Sequence, residues 1–218
     1  MSDTPIPTKE NILTRLNETI PITSIVDVGV RASTHELIKC FPTHKQYLFE
    51  PVNLFFNNIK KNYKNINYEL FPFALANKES RIFLVLTSLE KNGVVTHSRI
   101  STEKIEVDHV DIISCDEMEV KRFESLELSK NIESDFLLKV DVDGEDLNVI
   151  KGFGSKLKLA SAVIIECTCI SATERIAYLQ QNNFVLIDMV DLVYYGLSLY
   201  QFDAVLVRKD LITRNYNQ

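Results

Sequence analysis

The side chains best suited to chemistry lie in one stretch, Leu137–Phe153, which reads LLKVDVDGEDLNVIKGF. Its apolar first half predicts a buried strand, along which Lys139, Asp141 and Asp143 alternate and therefore share one face. Gly144 would then turn the chain into a helix. Carboxylates grouped at a strand end are costly unless something cationic binds them, although Lys139 itself could neutralise Asp141. The stretch therefore predicts a site for a cationic ligand, or for a group that gives up a proton.

A second acidic position occurs where an earlier β-branched run, Ser24–Val28, enters a turn with the pattern D-x-G-x-x-x-S. A dinucleotide site would instead show G-x-G-x-x-G, whose backbone amides hold a pyrophosphate. Asp27 would repel that pyrophosphate by roughly 4 kcal/mol, for two unit charges about 4 Å apart at an effective dielectric constant of about 20. The turn therefore disfavours a cofactor that contains phosphate.

The second predicted strand ends in Glu50, about 20 residues further on, which is the spacing of the acid that binds a ribose in Rossmann-like units. S-adenosylmethionine fits both acids because it has no phosphate and offers a sulfonium cation, an α-ammonium group and a ribose diol. In this prediction Asp27 attracts the cationic end, Gly29 lets the backbone approach, and Glu50 accepts both ribose hydroxyls. The other residues assigned to this cofactor site are Arg31, Ser33, Pro51, Ala74 and Asp141.

Short apolar strands alternate with helical patterns along most of the chain, which predicts a single α/β domain with a mainly parallel, doubly wound sheet. The last two strand patterns, FVLIDMV and QFDAVLVRK, have no clear helix between them and predict an antiparallel hairpin at one edge. In such sheets the ligand binds beyond the carboxyl ends of the strands. The acidic residues at or just past predicted strand ends are Asp27, Glu50, Asp141, Asp143 and Glu166.

Helical patterns are predicted near residues 9–20, 34–41, 51–63, 117–128, 145–153 and after Ser171. Pro51 suits the first turn of its helix. Glu145 and Asp146 would be favoured by the dipole at the start of theirs. Ser171 and Glu174 have the spacing of a capping box, in which each side chain satisfies an exposed backbone donor.

Composition narrows the class of protein. The 218 residues, 45% hydrophobic, are enough for one core, and only six glycines and six prolines argue against a linker between two domains. The polar N-terminus and four cysteines without metal-ligand spacing predict a cytoplasmic protein. No apolar run is long enough to cross a bilayer. The net charge of −6, with one dense basic run that ends a predicted helix, predicts no nucleic-acid partner.

The segments VDVG, LFEP, LLKVDVDGEDLNVIKG, VIIEC and FDAVLVRKDL together resemble the FkbM-type S-adenosylmethionine-dependent methyltransferases. The family's first turn is usually D-[VI]-G-A-N-x-G, and Val30, Arg31 and Ser33 depart from it here, as Asp143 departs from the usual Glu. The resemblance covers residues 22–212, between an N-terminal helix or arm (1–21) and a polar tail (213–218). It implies a Rossmann-like class I methyltransferase domain that O-methylates a hydroxyl of a sugar, glycan or secondary metabolite.

A small-molecule or glycan hydroxyl needs a general base within hydrogen-bond reach. Asp141 and Asp143 are the first candidates, and His97 is another if its loop folds over the site. Residues 92–111 interrupt the α/β alternation and are predicted to form a lid over the acceptor. The carboxylates of Asp141, Asp143 and Glu166 could alternatively hold Mg²⁺, which prefers oxygen ligands.

Two other classes of function remain open at this point. A ligand-binding or partner-binding protein of the same fold, without catalysis, is allowed by the departure at Ser33. A nicotinamide-dependent oxidoreductase is opposed by Asp27 and by the missing second glycine. The N-terminal helix and the final hairpin are candidate surfaces for a homodimer.

Overall fold

The computed structural model describes residues 8–88, 97–101, 103–105 and 112–212. Its strands are β1 (Ser24–Val28), β2 (Lys45–Phe49), β3 (Tyr68–Phe71), β4 (Ala74–Leu75), β5 (Ser80–Thr87), β6 (His97–Ser101), β7 (Ile112–Lys121), β8 (Phe136–Val140), β9 (Ala160–Thr168), β10 (Phe184–Tyr195) and β11 (Ser198–Arg208). The α-helices are α1 (Lys9–Thr19), α2 (His35–Cys40), α3 (Phe56–Asn62), α4 (Leu128–Asn131), α5 (Asp146–Gly152), α6 (Ala172–Gln181) and α7 (Lys209–Ile212). Among the described helices, none combines the length and the apolar character that a membrane span requires.

The main sheet has seven strands in the order β10-β11-β9-β8-β1-β2-β3. Neighbouring strands from β9 to β3 run parallel, whereas β11 is antiparallel to both β9 and β10. The predicted parallel sheet with an antiparallel edge hairpin is therefore confirmed. Because the strand order reverses between β8 and β1, the carboxyl ends of these two strands flank the crevice in which such folds bind ligands.

Both faces of this sheet are covered, as its continuous apolar strands require. All five residues of β1 are buried, and alternate side chains enter different layers. Ile25 packs with α1, through residues such as Leu16, while Val26 packs on the opposite face with residues of α5 such as Ile150. The N-terminal helix is thus part of the layer that covers the sheet.

A second, four-stranded sheet in the order β4-β7-β5-β6 lies in the chain between β3 and β8. The prediction of a helix near residues 117–128 is wrong, because residues 117–121 form the end of β7. Antiparallel pairing with β5, from Ser80 opposite Val120 to Thr87 opposite Ile112, outweighs the helix propensity of this segment. Only a 3₁₀ turn at Phe123–Ser125 and the four residues of α4 remain helical there.

Two predicted helix starts also differ in detail. Pro51 precedes its helix, which begins with a 3₁₀ turn at Asn53–Phe55 and continues as α3. Ser171 lies at the start of α6, but its hydroxyl accepts the backbone N–H of Thr168 at 2.9 Å and makes no capping hydrogen bond to the helix. The predicted capping box therefore does not form, because the Ser171 hydroxyl is hydrogen-bonded within the short turn that follows β9.

Candidate functional site

A cavity of about 360 Å³ opens at the carboxyl ends of β1, β2, β8 and β9. Its polar side carries the carboxyl groups of Glu50, Asp141, Asp143 and Glu166. Part of its apolar lining comes from the second sheet, through Ile82, Leu84 and Leu86 of β5 and Met118 of β7, and part from the main sheet, through Val28 and Phe49. The three β5 residues alternate along the strand, so they share the face that borders the cavity. The lining of the cavity thus combines a group of carboxyl side chains with an apolar surface.

Gly29 forms the tight turn that leads from β1 to the cavity. Its φ of +83° lies in the left-handed region, and a Cβ atom placed there would stand 1.9 Å from the carbonyl oxygen of Asp141. The glycine is therefore required because the β1 turn contacts the end of β8. Its backbone N–H donates to the carbonyl of Phe49 at 3.0 Å, which ties the same turn to β2.

Replacing Gly29 with alanine should lower the free energy of unfolding by about 2–5 kcal/mol, because a left-handed residue costs roughly 1–2 kcal/mol and an overpacked contact roughly 1–3 kcal/mol. Gly144→Ala is a matched control, since Gly144 also has a positive φ, +102°, but has open space where its Cβ would be. Urea denaturation of both variants separates the clash from the backbone strain. Equal losses in the two variants would contradict the close approach of β1 and β8.

Glu50 presents a carboxylate that the backbone holds in place. One oxygen accepts the N–H of Arg31 at 2.6 Å and the other accepts the N–H of Val52 at 2.8 Å. Each oxygen keeps a further lone pair for a ligand hydroxyl. The residue is only 4% exposed, and this burial raises the pKa of Glu50 to about 7 although the two backbone donors oppose the shift. This geometry suits the predicted contact with a ribose diol.

Lys139 lies at the centre of a buried ion-pair network behind the cavity. Its ammonium is 3.5 Å from the Asp27 carboxylate and 3.2 Å from that of Asp141, and it donates to the carbonyl of Gly29 at 3.2 Å. Burial disfavours a charged Lys139, but Asp27 and then Asp141 outweigh it and hold the pKa of Lys139 above its ordinary value. For Asp141, burial likewise opposes ionisation, yet Lys139 holds the pKa of this carboxyl below its usual range.

Asp27 does not line the cavity, contrary to its assignment to the cofactor site. It is fully buried, and Lys139 supplies the positive charge that the sequence argument had assigned to the cofactor. Ser33 does not line the cavity either, and its hydroxyl lies 3.0 Å from the Nε2 atom of His35. Of the remaining predicted cofactor residues, the cavity is lined by Gly29, Arg31, Glu50, Pro51, Ala74 and Asp141.

Asp146 and Arg175 form a second buried ion pair, at 2.8 Å, that the sequence reasoning missed. Asp146 is more than a helix cap, since its carboxylate accepts the backbone N–H groups of Val142 and Gly144 and so fixes the turn that carries Asp143. Arg175 also donates to the carbonyl of Gly144 at 3.3 Å. A sequence signal existed, because Arg175 precedes Leu179 by four residues and thus shares the buried face of α6.

Glu166, at the end of β9, is the neighbour of Asp141 across the sheet. Its carboxylate accepts a hydrogen bond from the side chain of Gln201. Burial first, and then the negative charge of Asp141, raise the pKa of Glu166 to about 8. The Glu166 carboxyl group therefore gives up its proton less readily than an isolated glutamate does.

The structure does not support the Mg²⁺ site suggested for Asp141, Asp143 and Glu166. Within the described ranges, no three side chains of the His, Cys, Asp and Glu types are arranged to hold a metal ion. The charge of Asp141 is already matched by Lys139, and burial disfavours the ionised form of Glu166 that would bind a metal ion.

The other two predicted catalytic residues, Asp143 and His97, differ in what the structure describes. Asp143 lines the cavity beside Asp141, in a left-handed conformation with a φ of +47°. The backbone of His97 begins β6, but its side chain lies outside the described part of the structure. Most of the predicted lid, residues 92–111, also lies outside the described residues.

The strand order, the antiparallel β11 and a ligand cavity at the switch point define a Rossmann-like class I methyltransferase fold. Residues 26–188 match the Methyltransferase FkbM domain, and the chain belongs to this family. The predicted enzyme class, an S-adenosylmethionine-dependent methyltransferase, is thereby confirmed. Membership also argues against the nicotinamide-dependent oxidoreductase.

Solved structures show the same fold at low sequence identity. An rRNA methylase from Streptococcus thermophilus is 11% identical, with a TM-score of 0.50 and coverage of 95% of this chain and 98% of that one. TrmK of M. capricolum, solved with S-adenosyl-homocysteine, is 10% identical, with a TM-score of 0.50 and coverage of 93% and 69%. A putative tRNA (m1A22) methyltransferase from Streptococcus pneumoniae, solved with S-adenosyl-L-methionine, is 10% identical, with a TM-score of 0.50 and coverage of 92% of this chain and 72% of that one. No curated protein matches the sequence.

Proposed function

We propose that this methyltransferase transfers a methyl group from S-adenosylmethionine to a hydroxyl of a sugar, glycan or secondary metabolite. The observation that carries the proposal is that one cavity joins Glu50 to a group of carboxyl side chains, Asp141, Asp143 and Glu166. Glu50 is suited to the ribose diol of the donor, and the other three are suited to orient a hydroxyl and accept its proton. The cofactors found in two of the solved structures support the same donor.

Methyl transfer in this cavity is an in-line displacement. The acceptor oxygen bonds to the methyl carbon, the bond from that carbon to sulfur breaks, and S-adenosylhomocysteine leaves. The hydroxyl proton passes to a carboxylate of the protein. The protein contributes mainly position and a fixed charge environment, both of which lower the barrier without a covalent intermediate.

The charges of the carboxyl groups in the cavity bear on which of them is the general base. Asp141 is held ionised by Lys139, which makes it a good hydrogen-bond acceptor for the hydroxyl and a weak base. Glu166, with a pKa raised to about 8, is the stronger base of the two once it is ionised, so it would accept the hydroxyl proton in the deprotonated fraction of the enzyme, which grows as the pH rises toward 8. We therefore add Glu166 to Asp141 and Asp143 as a base, and His97 stays a candidate from the sequence.

Two features favour a small hydroxyl acceptor over the alternatives. The similarity to rRNA and tRNA methylases is one of fold, whereas the net charge of −6 and an acidic cavity disfavour a polyanionic substrate. The departure at Ser33, which had allowed a catalytically silent protein, lies outside the cavity wall. A cytoplasmic location remains part of the proposal.

The test is transfer of radioactive methyl from S-adenosylmethionine to nucleotide sugars, free sugars, glycans and, for comparison, tRNA and rRNA. We expect label in a hydroxyl acceptor, and a turnover about 10²–10⁴-fold lower in Asp141→Asn and Glu166→Gln, since general-base catalysis contributes that much. Binding of S-adenosylhomocysteine should be retained in both variants, and Glu119→Gln, an exposed acid on β7, should behave as wild type. Label in RNA alone, or no acceptor at all, would refute the proposed function.

A further inference from the structure

The hairpin of β10 and β11 carries an exposed apolar surface that the proposed chemistry does not use. Among the described residues, nine large apolar side chains are exposed, and eight of them lie at this hairpin or in the turn beside it. We call these eight residues the hairpin patch: Ile170, Met189, Leu192, Val193, Tyr194, Tyr195, Leu197 and Tyr200. Leu197 is fully exposed at the tip, and Tyr195 and Tyr200 have ring centroids 4.7 Å apart. A patch of this kind normally marks an interaction site.

The base of the hairpin is anchored, whereas its tip is exposed on both faces among the residues that the structure describes. Lys9 of α1 pairs with Asp191 at 2.7 Å, and Arg15 of α1 pairs with Asp188 at 2.9 Å. Beyond Asp191, every residue of β10 is exposed, so the ribbon extends from the domain with apolar side chains on both of its faces. The rigid base and the uncovered tip together suit a projecting arm that packs against another molecule.

The charge of the hairpin argues against a membrane as that molecule. Helices and loops that lie on a bilayer surface usually carry Lys or Arg beside their apolar residues. The segment from Ile187 to Val207 contains no Lys or Arg and has three aspartates. The residues from Leu192 to Tyr200 carry no charged group at all. In this they resemble the cores of protein interfaces, which are depleted in charge and enriched in Tyr and Met.

The size of the patch fits a second copy of the same chain. If each of the eight side chains contributes on the order of 100 Å², about 800 Å² would leave water on each copy, which is the amount that a standard interface buries per partner. A two-fold arrangement lets the same surface serve both copies. The register shifts of β10 after Leu186 and Val190 disturb its outer edge, so side chains rather than paired backbones would form the contact.

We propose that the hairpin patch is the interface of a homodimer, in which the two hairpin tips pack against each other. Gln201 pairs with Thr168 at the carboxyl end of β9 and lines the cavity, so the hairpin tip projects at the same end of the sheet as the active site. The second copy therefore lies beside the Glu166 side of the cavity opening. This inference does not depend on which hydroxyl is methylated.

The test is the molar mass of the full chain in reducing buffer, by light scattering and sedimentation equilibrium over a range of concentrations. We expect twice 25.0 kDa for the wild type, and a dissociation constant at least about 100-fold higher for Tyr195→Lys/Leu197→Lys, because two charges from each copy would be buried at the interface. Leu54→Lys is the matched control, since Leu54 is 59% exposed but lies outside the hairpin. Leu197→Ser alone serves as a milder variant if the double variant does not fold.

Three results would overturn the dimer. They are a wild-type protein that stays monomeric up to its solubility limit, a dimer that Tyr195→Lys/Leu197→Lys leaves intact, and a monomer that floats with phosphatidylcholine vesicles. The last result would assign the hairpin patch to a lipid surface. None of these measurements uses an acceptor or a cofactor, so failure of the dimer and failure of the proposed function are distinguishable.

Discussion

Replacing Lys139 with methionine should lower the free energy of unfolding by about 3–5 kcal/mol, the cost of removing one partner of a buried ion pair. The loss arises because Asp27, which is fully buried, would keep its carboxyl group without the ammonium 3.5 Å away. Methionine has a similar length and no charge, so the packing of β8 against β1 should change little. Urea denaturation at neutral pH measures the effect.

Two controls separate the buried pair from a general loss of charge. Asp27→Asn/Lys139→Met should recover much of the lost stability, because it removes both charges together. Lys45→Met removes an ammonium from an exposed pair with Glu69, and it should cost less than about 1 kcal/mol. A similar small loss in Lys139→Met would contradict the view that Lys139 holds the ends of β1 and β8 together.

Replacing Glu50 with alanine should weaken binding of S-adenosylmethionine and S-adenosylhomocysteine by at least about 100-fold. Two hydrogen bonds to an ionised group contribute roughly 1.5–3 kcal/mol each, and about 1.4 kcal/mol corresponds to a factor of ten. Isothermal titration calorimetry measures the affinity. Glu69→Ala, which removes an exposed acid from the adjacent strand β3, is the matched control and should bind as wild type. A folded Glu50→Ala protein with unchanged affinity would refute the ribose contact.

The raised pKa of Glu50 adds a dependence on pH to this prediction. With a pKa of about 7, the carboxyl is largely protonated near pH 6 and ionised near pH 8, so donor affinity should rise over that interval. The sign for stability is opposite. From the ordinary value of 4.5 up to about 7, the folded protein holds a proton that the unfolded chain has released, so the ligand-free fold loses stability as pH rises. Glu50→Gln should remove the contribution of this group to both trends.

The sheet was the most predictable part of the molecule, because its strands are short, apolar and separated by turns. Asp141, Asp143 and Glu50 could also be placed at the edge of the sheet where the cavity opens, since the carboxyl ends of parallel strands meet at one edge. The second sheet could not be foreseen from residues 117–128, where a helix-favouring sequence is paired as a strand by β5, which is distant in the chain. The local sequence pattern indicates only which periodicity a segment has, whereas the pairing of β7 with β5 is a tertiary contact.

The charges around the cavity show a second limit of sequence reasoning. Asp27 has the spacing of a ligand-binding acid, yet only the register of β1 against β8, which sets Asp27 opposite Lys139, reveals that its partner is inside the protein. The same limit hid the role of Asp146, whose partner Arg175 lies 29 positions further along the chain. A carboxylate in a sequence can be assigned a place near a site, but its counter-charge is decided by folding.

The lining of the cavity comes from separate parts of the chain, and this separation bears on how the protein can change. The part that carries the carboxyl groups is fixed by strands such as β1, β2 and β8, where a single added methyl at Gly29 already meets a neighbouring carbonyl. The aliphatic side chains of β5 come from a sheet whose strands, within the described residues, pair only with one another. Substitutions on β5 can therefore reshape the apolar lining of the cavity while the strands that carry Gly29 and the carboxyl groups stay intact.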